Sequence, residues 1–139
     1  MPVMTAEMLE AFNREHFPQV DHLGLKVDHV DDSSITVTMK TEDRHLRPGG
    51  TVSGPTMMEM ADAAMYLLLL AQIGPVALAV TTSLNINFLR KPEPGEMIAK
   101  GRLLKLGKTL ATGEFSLFAG DPDEPVAHVT ATYAIPPKK

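Results

Sequence analysis

A long apolar run, residues 56–71, is the feature that most constrains the fold of this chain. Its sequence, TMMEMADAAMYLLLLA, is apolar around the full turn of a helix, which is typical of a helix enclosed by protein on most sides. Before it stand Ser53, Gly54 and Pro55, which favour a helix start because serine can cap the first turn and proline suits it. The sequence therefore predicts a central helix over residues 54–73.

Two carboxylates, Glu59 and Asp62, interrupt this apolar run. A buried carboxylate is costly unless it is paired, neutralised or used in chemistry. The run barely reaches the thickness of a bilayer, and each acid would cost roughly 2.5–3.5 kcal/mol at its centre, so we expect a core helix and no membrane association. Helix geometry places Asp62 one turn beyond Met58 and Glu59 partly to the side, so one acid can face a site while the other reaches solvent.

The chain fits a single domain, residues 1–139. Its length is near the common size of a domain, and 44% hydrophobic residues suffice for a core. Residues 1–18 are predicted to form a short amphipathic helix instead of a signal peptide, so we expect a cytoplasmic protein. Without cysteine, and with no ligand spacing among the histidines, no metal site is expected. A net charge of -4 with no basic block argues against nucleic acid as a partner.

Strand signals lie on both sides of the central helix. Residues 34–40, SITVTMK, alternate apolar and polar side chains as a half-buried strand does. Gly107-Lys108 indicates a tight hairpin. The predicted strands are residues 25–30, 34–40, 76–90, 97–106, 109–119 and 126–135. This order predicts an α+β fold in which an antiparallel sheet wraps around the long central helix, the hotdog fold.

Four short motifs, in this order, resemble those of hotdog-fold acyl-CoA thioesterases of the phenylacetate-pathway (PaaI-like) type, over residues 25–135. Ser53-Gly54-Pro55 matches the spacing of the family's His-Gly-Gly, and Met60-Ala61-Asp62 matches its apolar-Ala-Asp. The segment at residues 81–90, TTSLNINFLR, with Lys91-Pro92 and Pro94-Gly95 after it, resembles the family's next strand and the turn that leaves it. Gly107-Lys108 resembles the family's hairpin.

The sequence departs from the family pattern at three positions. Ser53 replaces the histidine, Pro55 replaces the second glycine, and Arg47 stands near the place where an Asn or Gln often lies. Serine cannot titrate near neutral pH, so no activity change near pH 6.5 is expected from this position.

The chemistry of thioester hydrolysis suggests roles for the residues along the helix. Negative charge develops on the carbonyl oxygen, so a backbone donor must point at it. The N–H of Gly54, at the open start of a long helix, can do this, whereas Pro55 has no N–H. Asp62 would be either the base that activates water or the nucleophile itself. By the resemblance, Thr81 or its neighbour Thr82 orients the water.

The resemblance also implies a substrate, acyl-CoA or aryl-CoA, and needs no cofactor because coenzyme A is part of that substrate. Basic side chains at two turns would hold its phosphates at the pocket mouth. The predicted substrate-binding residues are Arg47, Ser53, Asn85, Arg90, Lys91, Gly107 and Lys108.

Two other functions remain open at this stage. His45, Gly54 and Glu59 resemble the pattern of hotdog 3-hydroxyacyl dehydratases, in which a loop histidine and a helix glutamate move protons. Asp62 would then have no role. A non-catalytic acyl-CoA-binding module would keep the pocket and its basic mouth without a working base.

The active unit is predicted to be a homodimer, with a tetramer of two such dimers as a further expectation. One sheet around one helix leaves an edge strand uncovered, and bare edges favour pairing. By the resemblance, each site takes the helix acid from one subunit and the facing strand from the other. This would set Asp62 against Thr81 or Asn85 of the partner subunit.

Overall fold

A computed structural model describes residues 2–137. The helices are α1 (Ala6–His16) and α2 (Gly54–Ile73), and short 3-10 turns lie at Pro18–Leu23 and Asp43–His45. The strands are β1 (Lys26–Val30), β2 (Ser34–Lys40), β3 (Val80–Phe88), β4 (Glu96–Leu106), β5 (Leu110–Ala119) and β6 (Ala127–Ala134). The predicted element order is therefore confirmed, including both ends of the central helix.

The N-terminal helix is shorter than the predicted residues 1–18. It starts after Thr5, whose side chain accepts a hydrogen bond from the N–H of Met8, and it ends before Pro18. A 3-10 turn that the sequence pattern did not reveal follows it. Met1, Lys138 and Lys139, where the predicted helix begins and the predicted domain ends, lie outside the described residues.

All six strands form one antiparallel sheet in the order β1-β2-β4-β5-β6-β3. The register aligns Gly101 of β4 with Phe115 of β5, and Phe115 with Val129 of β6. The inward-facing residues of β5 and β6 are buried at alternate positions, as expected for a sheet with one face on the core. The hotdog arrangement is thus confirmed.

Helix α2 forms the centre of the core. Thirteen of its twenty residues are buried, and the run from Ala63 to Ala71 is buried throughout. The helix is long and apolar enough to cross a membrane, but 72% of its most apolar 18-residue window is buried inside the fold. Its apolar character is therefore accounted for by the sheet that wraps around it.

Strand β3 begins later than the predicted residues 76–90. Helix α2 ends at Ile73 and is capped by Gly74, which has a φ of 96°. The N–H of Ala79 then bonds the carbonyl of Val76 in a turn. Residues 76–79 carry the chain from the helix end to the edge of the sheet. Ala79 is buried there but Leu78 is 78% exposed, so the apolar run marks neither a strand nor a fully packed segment. The strand itself runs from Val80 to Phe88.

This strand is an edge of the sheet. It pairs with β6 on one side, and within residues 2–137 no strand pairs with its other side. None of its nine residues is buried, and Val80 and Phe88, at its two ends, are 57% and 51% exposed. An uncovered edge strand with apolar side chains exposed at both ends has free backbone groups with which another strand can pair.

Candidate functional site

The start of α2 carries a backbone donor with no partner. Ser53 caps the helix, since its Oγ accepts from the N–H of Thr56 at 3.3 Å. The N–H of Gly54 makes no hydrogen bond within the described part of the chain, and Pro55 has none to donate. The ring of Phe88 lies against Gly54, so that a Cβ built there would be 3.2 Å from Phe88 Cζ. The open N-terminus of a long helix attracts negative charge.

A cavity of about 600 Å³ opens at this helix start. Met57 and Phe88 contribute apolar surface, and Arg47, Arg90 and Lys91 bring three cations to its walls. The guanidinium of Arg90 is already engaged, because it donates to the carbonyl of Pro125 at 2.7 Å and lies 3.5 Å from a Glu124 oxygen. Arg47 and Lys91 are exposed and have no ion pair among residues 2–137, so they remain available to an anion.

Asp62 faces a second, smaller cavity of about 260 Å³. Thr81 Oγ1 donates to its Oδ1 at 2.5 Å, and the hydroxyl of Tyr133 lies 2.9 Å from the same oxygen and 2.9 Å from the Asp62 carbonyl. Burial, followed by the nearby charge of Asp62, raises the pKa of Tyr133, so its hydroxyl stays a donor. The helix carboxylate is therefore partly buried and is held by two hydroxyl groups.

Tyr133 was not among the predicted site residues. The alternation of residues 126–135 placed it on the inward face of its strand, which was the available signal. Its contact with Asp62 depends on the β6 register opposite α2, which alternation does not give.

Gly54 and Asp62 do not meet within one chain. They line different cavities, and about 12 Å of helix axis separates them. Groups that act on one carbonyl must lie within roughly 3–3.5 Å of the reacting atoms, so a single chain does not bring both to one thioester. The sequence set Asp62 against Thr81 or Asn85 of the partner subunit, whereas here the chain's own Thr81 contacts Asp62. This follows from the path of β3, which starts beside the middle of α2. A contact of Asp62 with the partner stays a prediction.

Comparison with known proteins decides the family. The model of the thioesterase superfamily matches residues 49–126, more than half of the chain. This chain belongs to the thioesterase superfamily. It is a thioester hydrolase with the hotdog fold.

Individual relatives agree with this assignment. A Pseudomonas aeruginosa protein named "Putative esterase PA1618" is 30% identical over 84% of this chain and 81% of its own length. A crystal structure from Silicibacter sp., described as that of a "putative thioesterase", is 46% identical with a TM-score of 0.89, covering 99% of this chain and 95% of that one. A mutant of the phenylacetic acid degradation protein PaaI from Thermus thermophilus is 27% identical with a TM-score of 0.75, covering 86% of this chain and 99% of that one.

Other predicted binding residues of this thioesterase lie away from both cavities. Gly107 and Lys108 lie beside Gln72 and Ile73, at the C-terminal end of α2. The two basic turns are therefore at opposite ends of the helix within one chain, and not together at one mouth as the sequence predicted. The reason is that β4 runs almost the full length of the sheet before its hairpin.

The middle of β3 places its polar side chains outward. Asn85 is exposed on the free edge strand and lines neither cavity. Thr82 is exposed as well, and its hydroxyl donates to the carbonyl of Thr132 at 3.2 Å. Of the two threonines, Thr81 is the one that contacts Asp62.

The residues of the dehydratase alternative are occupied elsewhere in this thioesterase. Glu59 contacts the imidazole Nε2 of His22. His45 is buried, with Nδ1 accepting from the N–H of Glu42 at 2.9 Å and Nε2 donating to the carbonyl of His22 at 3.0 Å. Because backbone groups bind both ring nitrogens, His45 serves the loop before α2 and has no nitrogen free for a substrate.

Within residues 2–137, no group of three His, Asp or Glu side chains is arranged to hold a metal ion. The described residues at the two cavities supply a backbone N–H at the helix start, a carboxylate and hydroxyl donors.

Proposed function

We propose that this chain hydrolyses acyl-CoA or aryl-CoA thioesters in a homodimer whose sites are shared between subunits. Gly54 of one subunit would polarise the thioester carbonyl, and Asp62 of the other would act on water or on the carbonyl carbon. The observation that carries the proposal is the free edge of β3: the helix start lies at its Phe88 end, and Asp62 lies at its Thr81 end.

Two-fold symmetry supports this arrangement. If two β3 strands pair antiparallel around their middle residue, Leu84, Phe88 comes opposite Val80 of the partner subunit. The cavity at the Gly54 end of one subunit then adjoins the partner's Asp62. The helices α2 also run antiparallel, so the partner's Lys108 approaches the same mouth. Two sites result, and each contains groups that no single chain brings together.

The chemistry balances with either role of Asp62. As a base, it takes a proton from water while the water oxygen bonds the carbonyl carbon; the C–S bond then breaks, and the thiolate leaves and is protonated. As a nucleophile, Asp62 bonds that carbon itself, the thiolate leaves, and water hydrolyses the anhydride. In both cases the N–H of Gly54 stabilises the negative carbonyl oxygen. The products are the free acid and coenzyme A.

Recognition of the coenzyme is assigned to the cations at the large cavity. Arg47 and Lys91 are free to bind phosphates, while Arg90, held by Glu124 and Pro125, shapes the wall. Ser53 positions the helix start through its cap. Asn85, on the paired edge, would contribute at the interface. We propose no cofactor beyond the coenzyme A of the substrate. We also propose that the protein is cytoplasmic.

The activity is tested by measuring the release of free thiol from a panel of acyl-CoA and aryl-CoA substrates. We expect Asp62→Asn and Asp62→Ala to remove most turnover while circular dichroism and thermal unfolding stay close to wild type. A parallel assay of crotonyl-CoA hydration examines the dehydratase alternative. Hydration that depends on Glu59, together with near-normal thiol release by Asp62→Ala, would overturn the proposal.

Mixing two inactive variants tests the shared site. Asp62→Ala is combined with a variant that lacks the Gly54 N–H, and the subunits are exchanged. Half of the random dimers are mixed, and one of their two sites has both native groups, so activity should return to about a quarter of wild type. Sites contained within one chain predict no return after exchange is verified by mass. Light scattering at assay concentration measures the dimer, and whether two dimers join into the predicted tetramer.

A further inference from the structure

The two oxygens of the Asp62 carboxylate have different surroundings. Oδ1 accepts hydrogen bonds from the hydroxyl of Thr81, at 2.5 Å, and from the hydroxyl of Tyr133, at 2.9 Å. Oδ2 has no hydrogen-bond partner among residues 2–137. Within the same residues, Oδ1 of Asn13 is the sole buried side-chain oxygen or nitrogen without a partner, so Oδ2 of Asp62 must reach open space. The cavity of about 260 Å³ that Asp62 lines offers this space.

We propose that Tyr133 is a positioning residue which, with Thr81, immobilises Oδ1 so that Oδ2 is the oxygen that reacts. This inference rests on the proposed function, since it assigns the reacting atom within that site. The Tyr133 hydroxyl also lies 2.9 Å from the Asp62 carbonyl, and therefore contacts the helix backbone and the side chain together. A carboxylate held at one oxygen cannot rotate freely, and its remaining lone pairs keep one direction.

Tyr133 suits this role because it is rigid and remains protonated. It is buried on β6, with 3% of its surface exposed. Burial raises its pKa, and the charge of Asp62 raises it further. The hydroxyl therefore stays protonated at neutral pH and remains a hydrogen-bond donor to the carboxylate. Donors of this kind stabilise the ionised form of a carboxylate, which is the form that either mechanism requires.

The other titratable groups around the Asp62 cavity are engaged elsewhere. His16, at the end of α1, lines the cavity, and its Nε2 lies 3.9 Å from a carboxylate oxygen of Glu15. Tyr66, one turn along α2, directs its hydroxyl away, to the carbonyl of Ala77 at 3.1 Å. Strand β3 contributes Thr81, which does not titrate. Tyr133 is thus the titratable side chain in direct contact with the carboxylate among these lining residues.

The test compares Tyr133→Phe with Tyr66→Phe. Both changes remove one hydroxyl and keep the ring, but only the first hydroxyl touches Asp62. We expect Tyr133→Phe to lower kcat by about 10-fold or more with KM within about twofold, since it removes a hydrogen bond to a charged group. The acid limb of its pH–kcat profile should move to higher pH by about one unit, because the ionised carboxylate has lost a donor. Tyr66→Phe should leave the limb in place.

A second pair keeps the inference testable if Tyr133→Phe does not fold. Thr81→Val removes the other donor at nearly constant volume and should move the acid limb in the same direction, while Thr81→Ser, which keeps the hydroxyl, should restore it. A fall in kcat with an unmoved limb in both Tyr133→Phe and Thr81→Val would show a structural role and overturn the inference. Full activity of Asp62→Asn would instead refute the proposed function, so the two failures are distinguishable.

Discussion

Replacement of Gly54 separates the role of its N–H from the space beside it. In Gly54→Pro the donor is lost, and in Gly54→Ala it is kept, while both variants add a Cβ toward Phe88. Proline suits this position, because it is the first residue of α2 and the preceding Ser53 is extended, with φ of -72° and ψ of 151°. The two variants therefore share the new Cβ toward Phe88. Proline differs from alanine in lacking the hydrogen-bond donor and in carrying Cγ and Cδ, with Cδ in place of the N–H hydrogen.

The geometry allows the size of each effect to be estimated. The new Cβ would lie 3.2 Å from Phe88 Cζ, which requires the ring to move by a few tenths of an ångström. Phe88 is 51% exposed at the end of an edge strand, so we expect this shift to cost less than about 1 kcal/mol of unfolding free energy. Loss of one donor to a developing oxyanion costs about 10²–10³-fold in kcat. Gly54→Ala should therefore stay within about 10-fold of wild type, and Gly54→Pro should fall well below it.

Thiol release from the best acyl-CoA substrate measures both rates, and urea unfolding shows whether both variants remain folded. Equal kcat values for the two variants would refute the assignment of the N–H as the donor. If Gly54→Ala loses as much as Gly54→Pro, the space against Phe88 is what catalysis requires. If neither loses activity, the carbonyl oxygen is bound elsewhere.

Three further predictions concern other positions. Gly101→Ala would place a Cβ 2.5 Å from Cζ of the buried Phe115 and closer to other ring atoms. Urea unfolding should therefore show a free energy of unfolding lower by about 1–3 kcal/mol, and normal stability would refute the clash. The backbone N–H of Ser33 and further donors lower the pKa of Asp31, so this carboxylate stabilises the fold above about pH 4 and loses that effect on acidification below it. The melting temperature of Asp31→Asn should therefore fall less steeply from pH 5 to 2 than that of wild type. Parallel curves would contradict this. Ser53→Ala should reduce kcat only modestly, since it removes a helix cap, and a loss above about 100-fold would place the hydroxyl in the catalytic set.

The central helix was readable from sequence because its signals are local. Ser53, Gly54 and Pro55 specify its start through short-range hydrogen bonding and a fixed proline torsion, and Gly74-Pro75 ends it. A helix apolar on all sides must be enclosed, so the sheet around it followed from burial alone. The same locality made Asp62 conspicuous. The limit of the apolar pattern appears at residues 76–79, which are apolar and yet form a turn.

The relations between distant residues depended on the tertiary structure. Tyr133 reaches Asp62 through the strand order, and the cations at residues 90 and 108 lie at opposite ends of α2 for the same reason. Neither relation has a short-range cause, because strand register and strand order are set by packing across the sheet.

What the sequence determined by itself was the set of elements, the enclosed helix, the isolated carboxylate and the open helix start, since each rests on neighbours along the chain. What only the tertiary structure decided was which groups meet: Asp62 with Thr81 and Tyr133, and Gly54 with Phe88. The physical reason is that the chemical groups of a side chain are given by its residue type, whereas the distance between two side chains depends on how the backbone folds. That backbone holds the helix start and the carboxylate near opposite ends of an edge strand, β3.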